Sequence, residues 1–169
     1  MAIDSTTGST TANSYVSYAE SLAYMVTRSG ASKWVDLDQA EAEAYLITAA
    51  RQIELSIWNG FKVSKTQSLN WPRTQVYDYE NNPIENIPVK LKDAQCELAF
   101  WYFTEGDRFL SDTDLTQIES LKAGPLDIKV NGKPQLYPAI VDQILNAIGP
   151  GLLLKSANSS SFTPVRFVI

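Results

Sequence analysis

The groups best able to do chemistry in this chain are carboxylates. Asp112, Asp114 and Glu119 lie close together, and 19 acidic residues offer many further pairs. A calcium loop built on Asp112 needs glycine at its sixth position and glutamate at its twelfth. Those positions hold Gln117 and Ala123, so the pattern fails and the segment reads as a capped helix start. Two carboxylates could hydrolyse a glycosidic bond, but nothing in the sequence singles out a pair. The chain has no histidine, which removes Ser-His-Asp and Cys-His nucleophiles, HExxH zinc sites and imidazole proton shuttles. Cys96 is the one cysteine, so thiolate zinc sites and internal disulfides are excluded, and a reducing compartment is expected. The expectation is a protein with no catalytic centre, cofactor or metal.

What remains is a binding element, Gln67-Ser68-Leu69-Asn70-Trp71-Pro72-Arg73. Pro72 fixes its own φ and drives Trp71 toward extended backbone, which gives the indole a defined direction. Arg73 then brings a planar, permanently charged fork of donors for a carboxylate, backbone carbonyls or a partner chain. Trp71, Pro72 and Arg73 are therefore candidate interface residues, forming a rigid docking corner. Arg51 is another candidate, as a solvated charge or an intersubunit ion pair.

The elements around this corner are helical. Residues 1–12 read as a flexible tail rich in Ser, Thr and Gly, without the apolar run of a signal peptide. Asn13 or Ser14 can cap a helix carrying Tyr15, Tyr18, Ala19, Leu22 and Val26, which ends near Ser29-Gly30. A loop then carries Trp34. Asp38 with Glu41 resembles a capping box for a second helix, striped by Tyr45, Ala49, Ile53 and Ile57 and stopped near Asn59-Gly60. Residues 61–88 read as irregular, with Val76–Tyr79 extended and a turn at Asn81-Asn82-Pro83. Pro88 opens a third helix reaching Glu105, striped by Leu91, Ala94, Leu98, Trp101 and Tyr102. A short helix is expected over Asp114–Lys122, a strand over Pro125–Val130 and a hairpin turn at Asn131-Gly132. A last helix runs from Ala139 to Ile148. The expected fold class is mainly α: a small helical bundle (13–150) with a β-hairpin near 125–137 and an extended C-terminal arm (151–169).

The arm is unusual in its composition. Polar Ser156–Ser161 is followed by Phe162-Thr163-Pro164-Val165-Arg166-Phe167-Val168-Ile169. Such a segment is expected to be buried, in its own sheet or on a neighbour by strand addition. Phe162, Val165, Arg166, Phe167 and Ile169 are its interface candidates. Asn158-Ser159-Ser160 matches a glycosylation sequon, read as chance without an export signal. No apolar stretch approaches the roughly 20 residues that cross a bilayer, so no membrane partner is expected. Net charge is −5, without a Lys/Arg run, the opposite of the basic footprint used to grip phosphates. The 18 aromatics (4 Trp, 8 Tyr, 6 Phe) fall mostly on apolar stripes, where core packing is their expected role.

Several segments together resemble a known group. They are Asn13-Ser14-Tyr15-Val16, Ala23-Tyr24, Trp34, Ala44-Tyr45-Leu46-Ile47 with Ala50-Arg51 and Ile53, and Trp58-Asn59-Gly60. Then come Gln67–Arg73, Ile87-Pro88, Ala94-Gln95 and Glu97-Leu98-Ala99. In order and spacing they resemble head–tail connector (adaptor) proteins of tailed bacteriophages, some of which carry the label DnaT-like single-stranded DNA-binding protein. The resemblance covers about Asn13 to Gly106. Glu54 departs from it, standing where an aspartate is expected. The resemblance implies a mostly helical protein that forms a homo-oligomeric ring of about twelve copies. It implies a place in the virion, at the head–tail junction under the portal protein. There it would extend the channel for double-stranded DNA and present a surface to a neck or tail-completion protein. The alternative it carries is a single-stranded DNA-binding replication protein.

Overall fold

A computed structural model describes residues 2–105, 120–123, 126–129 and 138–156. The described elements are α1 (Tyr18–Thr27), α2 (Ser32–Val35), α3 (Gln39–Glu54), β1 (Ile57–Trp58), β2 (Phe61–Lys62), β3 (Arg73–Thr74), α4 (Val89–Glu105), β4 (Ser120–Ala123), β5 (Leu126–Lys129), α5 (Ala139–Asn146) and β6 (Leu153–Lys155). The described fold is mainly α, with short antiparallel pairs β1–β6, β2–β3 and β4–β5.

The central element is α4. Pro88 precedes it, and its carbonyl accepts from the amides of Leu91 and Lys92 (3.0 and 3.3 Å), the role expected of proline at a helix start. Leu91, Ala94, Gln95, Cys96, Leu98, Ala99 and Tyr102 are buried because α1, α3 and α5 all pack against it. Burial of a Leu91- or Leu98-sized side chain contributes about 2 kcal/mol. Asp38 caps α3 through the Ala40 amide at 3.1 Å. The buried side chains of α3 are Ala42, Glu43, Leu46, Ile47, Ala49, Ala50 and Ile53. Trp34 lies in the four-residue α2 rather than in a loop. Its ring meets Tyr45, Phe100 and Phe103 at 6.0, 6.3 and 5.7 Å, which joins α2 to α3 and α4.

Four further expectations change in the structure. The cap of α1 is Ser17, in a capping box with Glu20. Asn13 and Ser14 have other partners: Asn13 Oδ1 accepts from the Asp4 amide and Ser14 Oγ accepts from Gln95. The buried face of α1 is accordingly Ser21 and Met25, and Val26 is 66% exposed. Residues 2–12, expected as a flexible tail, form a loop tied around Asp4. Its carboxylate accepts from the Thr6 amide and the Thr11 and Ser9 hydroxyls, which hold it down at about 2. Ser68 closes this loop onto the body, donating to the carbonyls of Ser9 and Ala12.

The second helix ends at Glu54, five residues before Asn59-Gly60. That dipeptide is instead the β1–β2 turn, where Gly60 has φ +72° and a Cβ would meet the Thr74 carbonyl at 2.4 Å. Ile57 is then a strand residue, exposed rather than on a helical stripe. The fourth change concerns the hairpin. Residues 120–122, expected in a helix, belong to β4, which pairs with β5 in the register Ala123↔Leu126 and Ser120↔Lys129. The cause is alternation: apolar and polar residues take turns in both Ser120–Ala123 and Leu126–Lys129. The turn expected at Asn131-Gly132 lies outside the described residues. Within the expected arm (151–169), Leu153–Lys155 pairs with β1 of its own chain, and residues 157–169 lie outside the described residues.

An ion pair fastens α1 to α4. Arg28 Nε and Nη2 donate to the two Glu97 carboxylate oxygens at 2.7 and 2.8 Å, and Tyr24 Oη adds a third bond at 2.9 Å. The guanidinium stacks 4.0 Å from the Phe100 centroid. Burial works against the Glu97 charge, but the bonds from Arg28 and Tyr24 outweigh it and hold the carboxyl below its ordinary range. A depressed carboxyl adds stability above its unfolded pKa, and the gain is lost as pH falls through the folded value. Glu97→Gln is expected to cost about 1 kcal/mol at pH 7 and to flatten the loss of stability below about pH 4.3. Urea titrations at a series of pH values check both.

Candidate interaction site

The Gln67–Arg73 element folds inward. Arg73 is 9% exposed, and its guanidinium makes four hydrogen bonds to backbone carbonyls. Nε donates to Asn59 (2.7 Å), Nη1 to Asn70 (3.1 Å), and Nη2 to Gly60 (2.7 Å) and Trp58 (3.3 Å). These carbonyls line the β1–β2 turn and the corner itself, so the arginine replaces the ladder that two-residue strands are too short to supply. Gln67 does the same for its own loop. Its Oε1 accepts from the Ser64 amide (2.9 Å), and its Nε2 donates to the carbonyls of Leu69 (2.9 Å) and Pro72 (3.1 Å). The Trp71–Pro72 bond is cis. Trp71 is 1% exposed and sets its ring edge-on to Trp58, at 5.5 Å and 82°.

Behind the corner, a polar knot joins the N-terminal segment to α3 and α4. Glu54 accepts from the Tyr15 hydroxyl and, at 3.0 and 2.9 Å, from the Asn70 amide. Asn70 Nδ2 returns a bond to the Glu54 carbonyl at 3.0 Å. Fully buried Gln95 accepts from the Tyr15 amide (2.9 Å) and donates to Ser14 Oγ (2.7 Å) and the Leu46 carbonyl (2.9 Å). Burial pushes the Glu54 carboxyl up, opposed by its hydrogen bonds to Tyr15 and Asn70. It pushes the Tyr15 hydroxyl well up too, reinforced by the Glu54 charge. A raised carboxyl stabilises when protonated, so the Glu54 contribution fades as pH rises through its folded value, opposite in sign to Glu97.

Trp71, Pro72 and Arg73 therefore do not stand at a free surface, contrary to their expected role as interface residues. The Trp71 ring is spent on the core, and the Arg73 donors on the turn carbonyls, the nearest partners for a buried charge. Arg51 is exposed in the last turn of α3, as a solvated or intersubunit charge would be. Phe162, Val165, Arg166, Phe167 and Ile169 lie outside the described residues, as do Asp112, Asp114 and Glu119. Among the described residues no group of three His, Cys, Asp or Glu is placed to hold a metal ion. No described helix is long and apolar enough to cross a membrane.

Surface chemistry sits elsewhere, in a pattern the helical reading concealed. Odd positions Leu55, Ile57, Phe61 and Val63 are 65, 51, 65 and 54% exposed, and Leu154, in the strand paired with β1, is 59% exposed. Ser56 and Trp58 between them are buried. Exposed apolar side chains therefore flank the Asn59-Gly60 turn on both sides. The signal was legible as Leu-x-Ile and Phe-x-Val flanking Asn59-Gly60.

Residues 1–166 match the family described as "Putative DnaT-like ssDNA binding protein". The chain belongs to this DnaT-like family. No curated protein and no solved structure matches it. In this family member the tryptophans Trp34, Trp58 and Trp71 are each at most 5% exposed, in the core-packing role expected of most of the aromatics. Exposed rings remain at Phe61, Tyr77 and Tyr79. Tyr79 donates to the Asn146 carbonyl at 2.9 Å. Lys62 donates to the Ser68 carbonyl at 3.3 Å, and Lys90 to the Ala147 carbonyl.

Proposed function

We propose that this protein is a structural head–tail adaptor of a tailed phage. It forms a ring beneath the portal, extends the DNA channel and offers a docking surface to the neck or tail. The observation that carries the reading is the exposed apolar row Leu55, Ile57, Phe61, Val63 and Leu154, on a body whose Trp71-Pro72-Arg73 corner is buried. Such a row suits contact with another protein surface, and repetition around a ring turns weak contacts into a stable assembly. The resemblance of Asn13–Gly106 to phage adaptors points the same way. The net charge of −5 suits a channel wall along which DNA slides without being held. On this reading the protein is made in the host cytoplasm, makes and breaks no bonds and needs no cofactor. Its partners are copies of itself, the portal and the next neck component.

The family description favours a second reading, binding of single-stranded DNA. The exposed ring of Phe61, with Lys62 and Lys65 close to it in sequence, would belong to its surface. Fluorescence anisotropy with a labelled oligonucleotide separates the two. The adaptor reading expects no binding at low micromolar protein in low salt, and micromolar affinity that falls steeply with salt would establish the second. Phe61→Glu should change stability by less than about 0.5 kcal/mol, since the ring is mostly exposed, yet abolish ring formation. Size-exclusion chromatography and urea unfolding of the variant check the two halves of that statement.

A further inference from the structure

The exposed apolar row lies in a basic stretch of an acidic chain. From Arg51 to Tyr77 the basic residues are Arg51, Lys62, Lys65 and Arg73, and the one carboxylate is Glu54, which is tied inward to Tyr15 and Asn70. Arg73 is buried, but Arg51 and Lys65 are exposed. Arg51 stands four residues before Leu55, one helical turn away, and the strand pairing sets Lys155 opposite Ile57. A second apolar surface has the opposite sign. Between the end of α1 and α2 lies an open groove of about 430 Å³, with Met25, Val26, Ala31, Val35 and Asp36 in its lining. Met25 and Ala31 are buried, while Val26 and Val35 are 66 and 38% exposed. Arg28 also lines the groove, but its charge is spent on Glu97. Over residues 32–41 the exposed carboxylates Asp36, Asp38 and Glu41 face one exposed cation, Lys33.

The two surfaces are held apart by α3. Asp36 comes just before its first turn and Leu55 just after its last, and its 16 residues make a rod about 24 Å long. Contact between row and groove therefore needs two chains. We infer that the row of one copy docks in the α1–α2 groove of the next, with Phe61 as the apolar anchor and Arg51 and Lys65 facing Asp36, Asp38 and Glu41. Contact between two different patches is head-to-tail, and it closes into a ring when the rotation from copy to copy permits. Opposite charges at the rim steer the approach, and like charges disfavour row on row and groove on groove. The inference rests on the proposed ring for its premise that copies of the chain touch, and adds which surfaces do so.

Single cysteines in the full-length chain test it. Cys96 is buried and its thiol is pushed up to about 12, so it stays silent. Val63 and Val26 are both exposed, one in the row and one at the groove. V63C and V26C chains, mixed in equal amounts and mildly oxidised, should give the mixed disulfide at least about tenfold over either like pair. Adding K65E to the V63C chain should lower that yield at least about threefold, and adding D36K to the V26C chain should restore it, with far-UV circular dichroism unchanged throughout. Equal yields of the three disulfides would overturn the inference, as would a V63C–V63C link alone, which would set row on row, or a K65E loss that D36K does not restore. Native mass spectrometry of the wild-type chain with its portal keeps the ring reading separate. Rings without the selective mixed disulfide overturn this inference alone, and a selective mixed disulfide without rings overturns the ring reading alone. A chain that shows neither overturns both.

Discussion

Arg73→Ala is expected to lower the unfolding free energy by about 4 kcal/mol, a large share of the 5–15 kcal/mol typical of a domain. The variant loses four donor contacts, to Trp58, Asn59, Gly60 and Asn70. It also leaves in the interior carbonyls that water cannot easily reach. Hydrogen bonds from a charged donor contribute about 1.5–3 kcal/mol each, but they share one side chain and do not add. Arg73→Lys should recover only part of the loss, because one ammonium cannot span a fork that reaches both sides of the turn. Urea unfolding checks the ordering, with the alanine midpoint about 2 M below wild type for a slope near 2 kcal/mol/M. If Arg73→Ala unfolds with wild type, the guanidinium is not what closes the β1–β2 turn.

Trp71→Ala should be of similar size, about 3–5 kcal/mol, because it empties a fully buried site whose neighbours are fixed by the corner. Its ring packs edge-on against Trp58, so the cavity also removes Trp58's main aromatic neighbour. The indole nitrogens of Trp58 and Trp71 have no hydrogen-bond partner among the described residues. Trp71→Phe therefore sacrifices volume but no hydrogen bond, and about 1–2 kcal/mol is expected. Thermal unfolding should place Trp71→Ala about 10 °C below wild type, and near-UV circular dichroism should lose the coupled indole signal in both variants. Corner variants thus fail by unfolding. Row variants such as Phe61→Glu fail by not assembling, and that contrast separates the frame from the surface it carries.

The frame was legible where one residue type has one job. Asp38 before α3 and Pro88 before α4 fix helix starts by local chemistry, and the heptad-like stripe of α4 needs nothing else. Legibility failed where one residue type has two uses. Asn59-Gly60 serves equally as a helix stop or a strand turn, and the short β1–β6 pairing, made across almost a hundred residues, decided for the turn. Asn13 and Ser14 were good caps on paper, but Asp4 and Gln95 recruited them. The Trp-Pro-Arg element was recognisable as rigid from φ restriction alone. Its direction was not, because the partners of Arg73 are backbone carbonyls, which every residue has and no sequence pattern marks. The exposed row was visible as alternation but was masked by Tyr45, Ala49, Ile53 and Ile57, which extend the helical stripe one turn too far.

Native mass spectrometry of the full-length chain, alone and mixed with its portal, tests the central claim most directly. The account predicts closed oligomers of uniform copy number, near twelve by the resemblance to phage adaptors, in at least the portal-bound sample, and their loss in Phe61→Glu. A chain that stays monomeric in both samples, while binding single-stranded DNA at micromolar concentration, would contradict it.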